Sequence, residues 1–346
     1  VGNAGLDVPG GFVLRTDAEG NAAWIRGLGA ARPLAAAFAP DGAVVMVGTA
    51  RKRCFAMRLD VQGRETWSSQ LAGQGESSCR AVAVEERSGA IWGAGEFSGT
   101  VGGIPSAGMS DALVLKIAGE TGEMRLVRAI GGKGADTANA IAVTGAGVIV
   151  VAGSFGGDVD ASVSGVDFGR GLVRGAGGAD GFVAALDPES FATRWVSILG
   201  EDGDEEMAAL AVREGRVYAA ANVRRERRGA GCGGQVVVTR NAEWARVAED
   251  QCLAVRGLAF DDAGRLWALE NARRRIRARA FAPGDGETLG ERGWTAERAG
   301  VRGVGIAPVP WGLALAAVTD GESIVCGKPI GSSGEQTAFI VWVRDL

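Results

Sequence analysis

Ala140-Ile141-Ala142-Val143-Thr144-Gly145-Ala146-Gly147-Val148-Ile149-Val150-Val151-Ala152-Gly153 alternates tiny and bulky apolar side chains, turns over a glycine, and continues as a second apolar run. Strict alternation is the pattern of a strand whose two faces meet different surroundings. The opening tetrad recurs as Ala35-Ala36-Ala37-Phe38, Ala81-Val82-Ala83-Val84, Ala209-Leu210-Ala211-Val212, Gly257-Leu258-Ala259-Phe260 and Gly303-Val304-Gly305-Ile306. Repetition at several tens of residues points to a repeat architecture.

Each tetrad (run A) leads through a turn to a second run (B), then to a third and a fourth (C and D). In the third copy C is Gly181-Phe182-Val183-Ala184-Ala185-Leu186-Asp187 and D is Arg194-Trp195-Val196-Ser197-Ile198-Leu199-Gly200. C runs also lie at 11–17, 54–60, 112–118, 235–241 and 276–281, and 338–343 forms another near the end of the chain. D runs carry Trp24, Trp67, Trp195, Trp244 and Trp294; B runs place Trp92, Tyr218 and Trp267 at one equivalent position. The C runs beginning at Phe12, Phe55, Leu113, Phe182 and Val236 are spaced by 43, 58, 69 and 54 residues, so a constant core carries loops of variable length.

Four short antiparallel strands per unit, repeated radially, predict an all-β fold, a β-propeller of four-stranded blades. Run A is then the innermost strand, where blades converge and small side chains fit. Six A runs set six blades, with the N-terminal C–D hairpin completing the last A–B pair. The domain spans 1–346, closed by pairing of its N-terminal and C-terminal strands, and run 338–343 is then surplus, a fifth strand or a competitor for the C position. Seven blades would require D, A and B strands upstream of Val1. The 346 residues hold 57 glycines, 47% hydrophobic and 6% aromatic residues, a composition suited to short strands and tight turns rather than helical bundles.

Asp180-Gly-Phe-Val-Ala-Ala-Leu-Asp187, the Trp195 strand, Leu199-Gly200 and Gly203-Asp204 before Ala209-Leu-Ala-Val212 resemble the seven-bladed β-propeller (SBBP) repeat of exported bacterial proteins. Ile130-Gly-Gly-Lys-Gly-Ala-Asp136, then Ala140–Val143 and Val151-Ala-Gly-Ser-Phe155, is similar to the same repeat. The resemblance runs from about residue 11 to 222 and fades beyond. It implies an extracellular, cell-surface or periplasmic protein and brings no catalytic motif.

The connectivity puts B→C and D→A connections on one face and A→B and C→D turns on the other. Long B→C stretches at 96–110, 154–179, 222–234 and 318–337 make the first face the expected binding surface for a protein or glycan. Arg224, Arg225, Arg227 and Arg228, with Arg273, Arg274, Arg275, Arg277 and Arg279, form an arginine-rich arc there, or an arginine-rich solvated edge. Cys54 and Cys79, and Cys232 and Cys252, occupy repeated positions on that face and suggest two disulfides and an oxidising compartment. The pattern leaves Cys326 as a free or intermolecular thiol, the latter within a larger assembly.

Histidine is absent, which removes His-dependent nucleophilic systems and the commonest metal ligand. Glu201-Asp202-Gly203-Asp204-Glu205-Glu206 and Asp158, Asp160 and Asp167 are acidic, but their spacing matches no calcium loop. They read as solvated charge; calcium is the one cation they could hold, and no cofactor or metal is expected. A net charge of −4 gives no reason to expect nucleic acid, and no run is long enough to span a membrane. The start at Val1 suggests a processed or trimmed terminus. Two functions follow: a non-catalytic binding scaffold, or a carbohydrate-active hydrolase or lyase with paired carboxylates at the channel mouth.

Overall fold

A computed structural model describes the chain except residues 1–10, 18–20, 158–164, 201–202, 226–231, 241–242, 251–253, 273–274, 296–300, 310–311, 321–322, 326–327, 331–335 and 345–346. Among the described residues there is no helix. An N-terminal hairpin pairs Phe12–Thr16 with Ala22–Gly27. The first sheet runs Arg32–Phe38, Val44–Ala50, Arg53–Leu59, Glu65–Gln70, and the second Ser77–Val84, Ile91–Phe97, Asp111–Ile117, Met124–Ile130. The third runs Ala135–Val143, Ile149–Gly157, Asp180–Leu186, Thr193–Leu199. The fourth is Gly203–Arg213, Arg216–Arg225, Cys232–Arg240, Glu243–Asp250, and the fifth Ala254–Phe260, Leu266–Ala272, Arg275–Phe281, Thr288–Thr295. In the sixth, Val301–Val309 and Gly312–Asp320 are followed by Gln336–Arg344. Each four-stranded sheet has the order A-B-C-D, all antiparallel. Contacts divide the chain into two compact units, residues 1–179 with 183–196, and 180–182 with 197–346.

The C-terminal run is not surplus. It is the C strand of the sixth sheet, paired with its B strand from Gly312↔Arg344 to Asp320↔Gln336. The C position assigned above to the N-terminal hairpin is thus filled, and the hairpin lays Val13, Trp24 and Leu28 on Val44, Met46, Phe55 and Leu59 of the first sheet.

Every A strand contains a β-bulge. The register slips between Pro33 and Ala35, Cys79 and Ala81, Ala138 and Ala140, Met207 and Ala209, Val255 and Gly257, and Gly303 and Gly305. The unpaired residue locally disrupts the ladder and bends the strand; the third A strand has a second irregularity between Ala135 and Thr137, where the extra residue is on the B strand. In the first five sheets the bulge falls directly before the tetrad. In the sixth it falls inside, so the structurally equivalent tetrad is Gly305-Ile306-Ala307-Pro308, two residues later than the alternation suggests. Beside the first three bulges the B strand presents Gly48, Gly95 and Gly153. A Cβ there would lie 2.0 Å from Arg32 O, 1.9 Å from Ser78 O and 1.8 Å from Thr137 O, respectively.

Below the bulge the expected packing holds. The B-strand aromatics Trp92, Tyr218 and Trp267 stand opposite Ala83, Ala211 and Ala259. The bulky positions of the fifth tetrad cover the fourth sheet: Phe260 meets Tyr218 edge-on at 5.2 Å, in a cluster with Ala209, Ala211, Ala220 and Leu258. At the outer edge a D-strand tryptophan covers the next C→D turn. Trp24 Nε1 donates to Val61 O at 3.0 Å, and Trp67 Nε1 to Gly119 O at 2.8 Å. The indoles lie on Gly63 and Gly122, whose φ values are 79° and 73°. A Cβ on Gly122 would sit 2.4 Å from the Trp67 ring.

Gly122→Val should therefore destabilise the protein by about 1–3 kcal/mol in denaturant unfolding, from overpacking and backbone strain. Gly119→Ala, at a position with open space around a Cβ, should leave the midpoint within experimental error.

Candidate functional site: the face carrying the long connections

The long B→C connections are built, not draped. In the second sheet Thr100–Val101 pairs with Ile104–Pro105 and with Gly73–Gln74, which follows the first sheet's D strand. Val101 is buried in the core that also holds Trp67 and Leu113. In the third sheet Gly165–Asp167 pairs with Leu172–Arg174. Phe168, between those strands, is fully buried and meets Phe155 edge-on at 5.8 Å, while Thr193 donates to Phe168 O and Arg170 to Arg194 O, both from the D strand. Asp167 is engaged locally by one of its oxygens. Its Oδ1 accepts the N–H groups of Gly169, Arg170 and Gly171 at 2.7, 3.1 and 3.0 Å, closing the hairpin tip. Asp158 and Asp160 lie outside the described residues.

Two carboxylates to which the sequence alone assigns no role hold this face of unit 1 together. Asp111 opens a C strand and Asp136 lies above the bulge of an A strand; both are buried. Asp136 accepts Gly132 N–H at 2.7 Å and Gly156 N–H at 2.8 Å. Asp111 accepts Ala107 N–H at 3.0 and 3.1 Å. Gly131 passes so close that a Cβ would lie 2.1 Å from Asp111 Cγ. Neither carboxylate forms an ion pair among the described residues. Burial raises the Asp111 pKa against its backbone hydrogen bonds. Burial, with the Asp111 charge added, pushes Asp136 up to about 6. The signal was present: Asp111 and Asp180 both open C strands, and Asp136 and Glu205 both stand four residues before a tetrad.

The acidic stretch 201–206 is only partly a loop. Gly203–Arg213 is one strand, so Asp204, Glu205 and Glu206 are strand residues above the bulge, with Asp204 opposite Arg224 and Glu205 buried. Residues 201–202 lie outside the described part.

The arginine arc divides. Arg224, at the end of its B strand, is exposed, and Arg275 opens its C strand and lies 3.8 Å from Glu291. Arg277 and Arg279 do not belong to a surface arc. They point into the sheet, where both pair with Glu270, itself buried on the neighbouring B strand, and Arg279 stacks over Phe281 at 4.8 Å. Alternation decides this: Ile276, Ala278 and Ala280 face the sixth sheet, so the arginines between them face the other way. Arg227, Arg228, Arg273, Arg274 and the side chain of Arg225 lie outside the described residues.

Cys54 and Cys79 form a disulfide with Cα atoms 4.9 Å apart, joining the first sheet's C strand to the second sheet's A strand. Cys252, Cys326 and the side chain of Cys232 lie outside the described part. In unit 2 a different device joins sheets: Asn222 holds Val255 N–H at 2.8 Å and its carbonyl at 3.1 Å, and Asn271 holds Gly303 N–H and its carbonyl, each at 2.8 Å.

Known structures share this architecture. A glucose dehydrogenase structure aligns with 90% of this chain and 96% of its own, with a TM-score of 0.57 at 14% identity. The Dos1 propeller aligns with 95% of this chain and 74% of its own, with a TM-score of 0.51 at 9% identity. The chain spans 42% of the length of a prolyl endopeptidase structure, with 90% of this chain aligned at 14% identity and a TM-score of 0.46. No protein-family model and no curated protein matches the sequence. The protein has the β-propeller fold. No helix among the described residues is long and apolar enough to cross a membrane.

Two predictions follow from these side chains. Because the folded state holds the Asp136 proton more tightly than the unfolded chain, stability should fall as pH rises from 3.8 to about 6. The difference in unfolding free energy between wild type and Asp136→Asn should change with pH across that window and be flat above it. Glu270→Ala, which removes the shared partner of two partly buried guanidinium groups, should cost about 3–5 kcal/mol in chemical denaturation.

Proposed function

We propose that the protein is a non-catalytic, exported propeller of the SBBP repeat type. It binds a protein or glycan through the face of the B→C and D→A connections. The observation that carries this reading is the employment of the buried carboxylates on the described sheets. Asp111 and Asp136 hold backbone amides, Asp261 accepts Trp267 Nε1 at 2.8 Å and Arg265 Nε at 2.7 Å, and Glu270 holds two arginines. Acids engaged in this way serve the fold rather than bond cleavage. The Cys54–Cys79 disulfide supports an oxidising compartment, extracellular or periplasmic.

An array of neutral and acidic glycans, with pull-down from envelope extracts, tests the scaffold. Binding of one ligand without release of products is expected, and a charge-reversed Arg224→Glu/Arg275→Glu double variant should lose at least tenfold in affinity for an acidic ligand. Turnover of any glycan, or full affinity in the double variant, would contradict the reading.

A further inference from the structure

The B→C connections of the first and fifth sheets are short. In the first, Ala50 pairs with Arg53, and only Arg51 and Lys52 lie between them; in the fifth, Ala272 pairs with Arg275 in the same register. Both connections are basic in sequence, Ala50-Arg-Lys-Arg53 and Ala272-Arg-Arg-Arg275. Arg51 and Lys52 have φ values of 51° and 63°. A two-residue hairpin turn with both residues left-handed ordinarily takes asparagine or aspartate followed by glycine, because a Cβ is crowded in that conformation. The fourth sheet's A→B turn keeps the glycine: Glu214 and Gly215 have φ values of 52° and 73°. At 51–52 two long cationic side chains stand where that pair is preferred.

Neighbouring groups hold this unfavourable turn in place. Ser77, buried on the second sheet's A strand, donates its N–H to Lys52 O at 3.0 Å and accepts Cys54 N–H on its hydroxyl at 3.0 Å. Cys54, next to Arg53, is bonded to Cys79. Lys52 pairs with Glu76 at 2.5 Å, both side chains being mostly exposed, an ion pair of small worth that a ligand can displace. Arg51 is exposed, as is Arg32 on the A strand opposite Thr49, and Arg53 is half-buried. None of these three guanidinium groups has an acceptor among the described residues. Backbone strain that the surroundings maintain is a pointer to function.

We propose that this turn, with Arg32, is a pre-organised anchor for an acidic polysaccharide. Guanidinium groups match carboxylate and sulfate oxygens in bidentate geometry. Residues 48–54 expose no large apolar side chain, so the turn lacks the kind of apolar anchor around which protein interfaces are built. The disulfide next to Arg53 supports an oxidising compartment, a setting that favours a glycan over nucleic acid as the polyanion. The inference rests on the connecting face being the binding surface; it adds a site in unit 1 and the charge of the ligand.

The test titrates the full chain with polygalacturonate, and with neutral dextran, poly-glutamate and single-stranded DNA alongside, and follows its thermal midpoint. Polygalacturonate should bind most tightly, and more weakly as salt is added. Arg51→Asn/Lys52→Gly, which gives the turn its preferred residues, should raise the thermal midpoint by about 2 °C or more while lowering affinity at least tenfold. Arg32→Gln/Arg53→Gln, outside the left-handed pair, should lower affinity at least tenfold at unchanged midpoint. Full affinity in either variant, or a lower midpoint in the first, would overturn the proposal. Tighter binding of poly-glutamate or DNA would assign the turn to a protein or a nucleic acid and overturn it equally. Dextran binding that is indifferent to both variants, with no binding of polygalacturonate, sinks this inference alone. Cleavage of polygalacturonate that still requires Arg51 sustains it and sinks the non-catalytic reading.

Discussion

Each inner strand carries, directly before or within its tetrad, one residue that the partner strand does not pair, and much of the molecule's geometry depends on where that residue is put. The bulge divides the A strand into two parts. Below it the tetrad alternates small and bulky side chains between neighbouring sheets. Above it the strand continues toward the long connections, carrying Ser77, Asp136 and Glu205 into buried positions. In the first three sheets the bulged strand comes so near its partner that Gly48, Gly95 and Gly153 have no room for a Cβ. A glycine in a strand interior is ordinarily a loss; here close approach of two backbones requires it.

Because the bulge sets where the upper strand ends, it also sets what the connecting face is made of. The long connections of the second and third sheets fold as short hairpins that bury Val101, Val166 and Phe168, and Asp111 and Asp136 tie their roots to the backbone amides of Ala107, Gly132 and Gly156. Polar groups that look available for chemistry are thereby employed in holding the face in shape. What remains exposed is the hairpin tips in unit 1 and, in unit 2, arginines such as Arg224.

Much of this was legible in the sequence, because it is written as periodicity. The tetrads, the tryptophans of the outer strands, the shared position of Trp92, Tyr218 and Trp267 and the pairing of Cys54 with Cys79 all follow from aligning repeats. The bulge did not show, since an extra residue between alternating small side chains leaves the alternation intact. That is why the sixth tetrad was placed two residues early. Asp204, Glu205 and Glu206 read as loop because charge masks strand alternation, and Arg277 and Arg279 read as surface because their partner, Glu270, is close only across the sheet. The role of Gln336–Arg344 was hidden for a related reason: which strand fills a sheet's third place is a matter of pairing, and pattern alone leaves it open.

The central claim is that a backbone approach at the bulge, rather than side-chain packing alone, sets the register of the first three sheets. The unfolding free energy of Gly95→Ala tests it most directly. Gly95 has ordinary strand backbone, so in a regular strand alanine would be neutral or stabilising. With a Cβ placed 1.9 Å from Ser78 O, the account predicts a loss of about 2 kcal/mol or more. An unchanged or higher stability would contradict it.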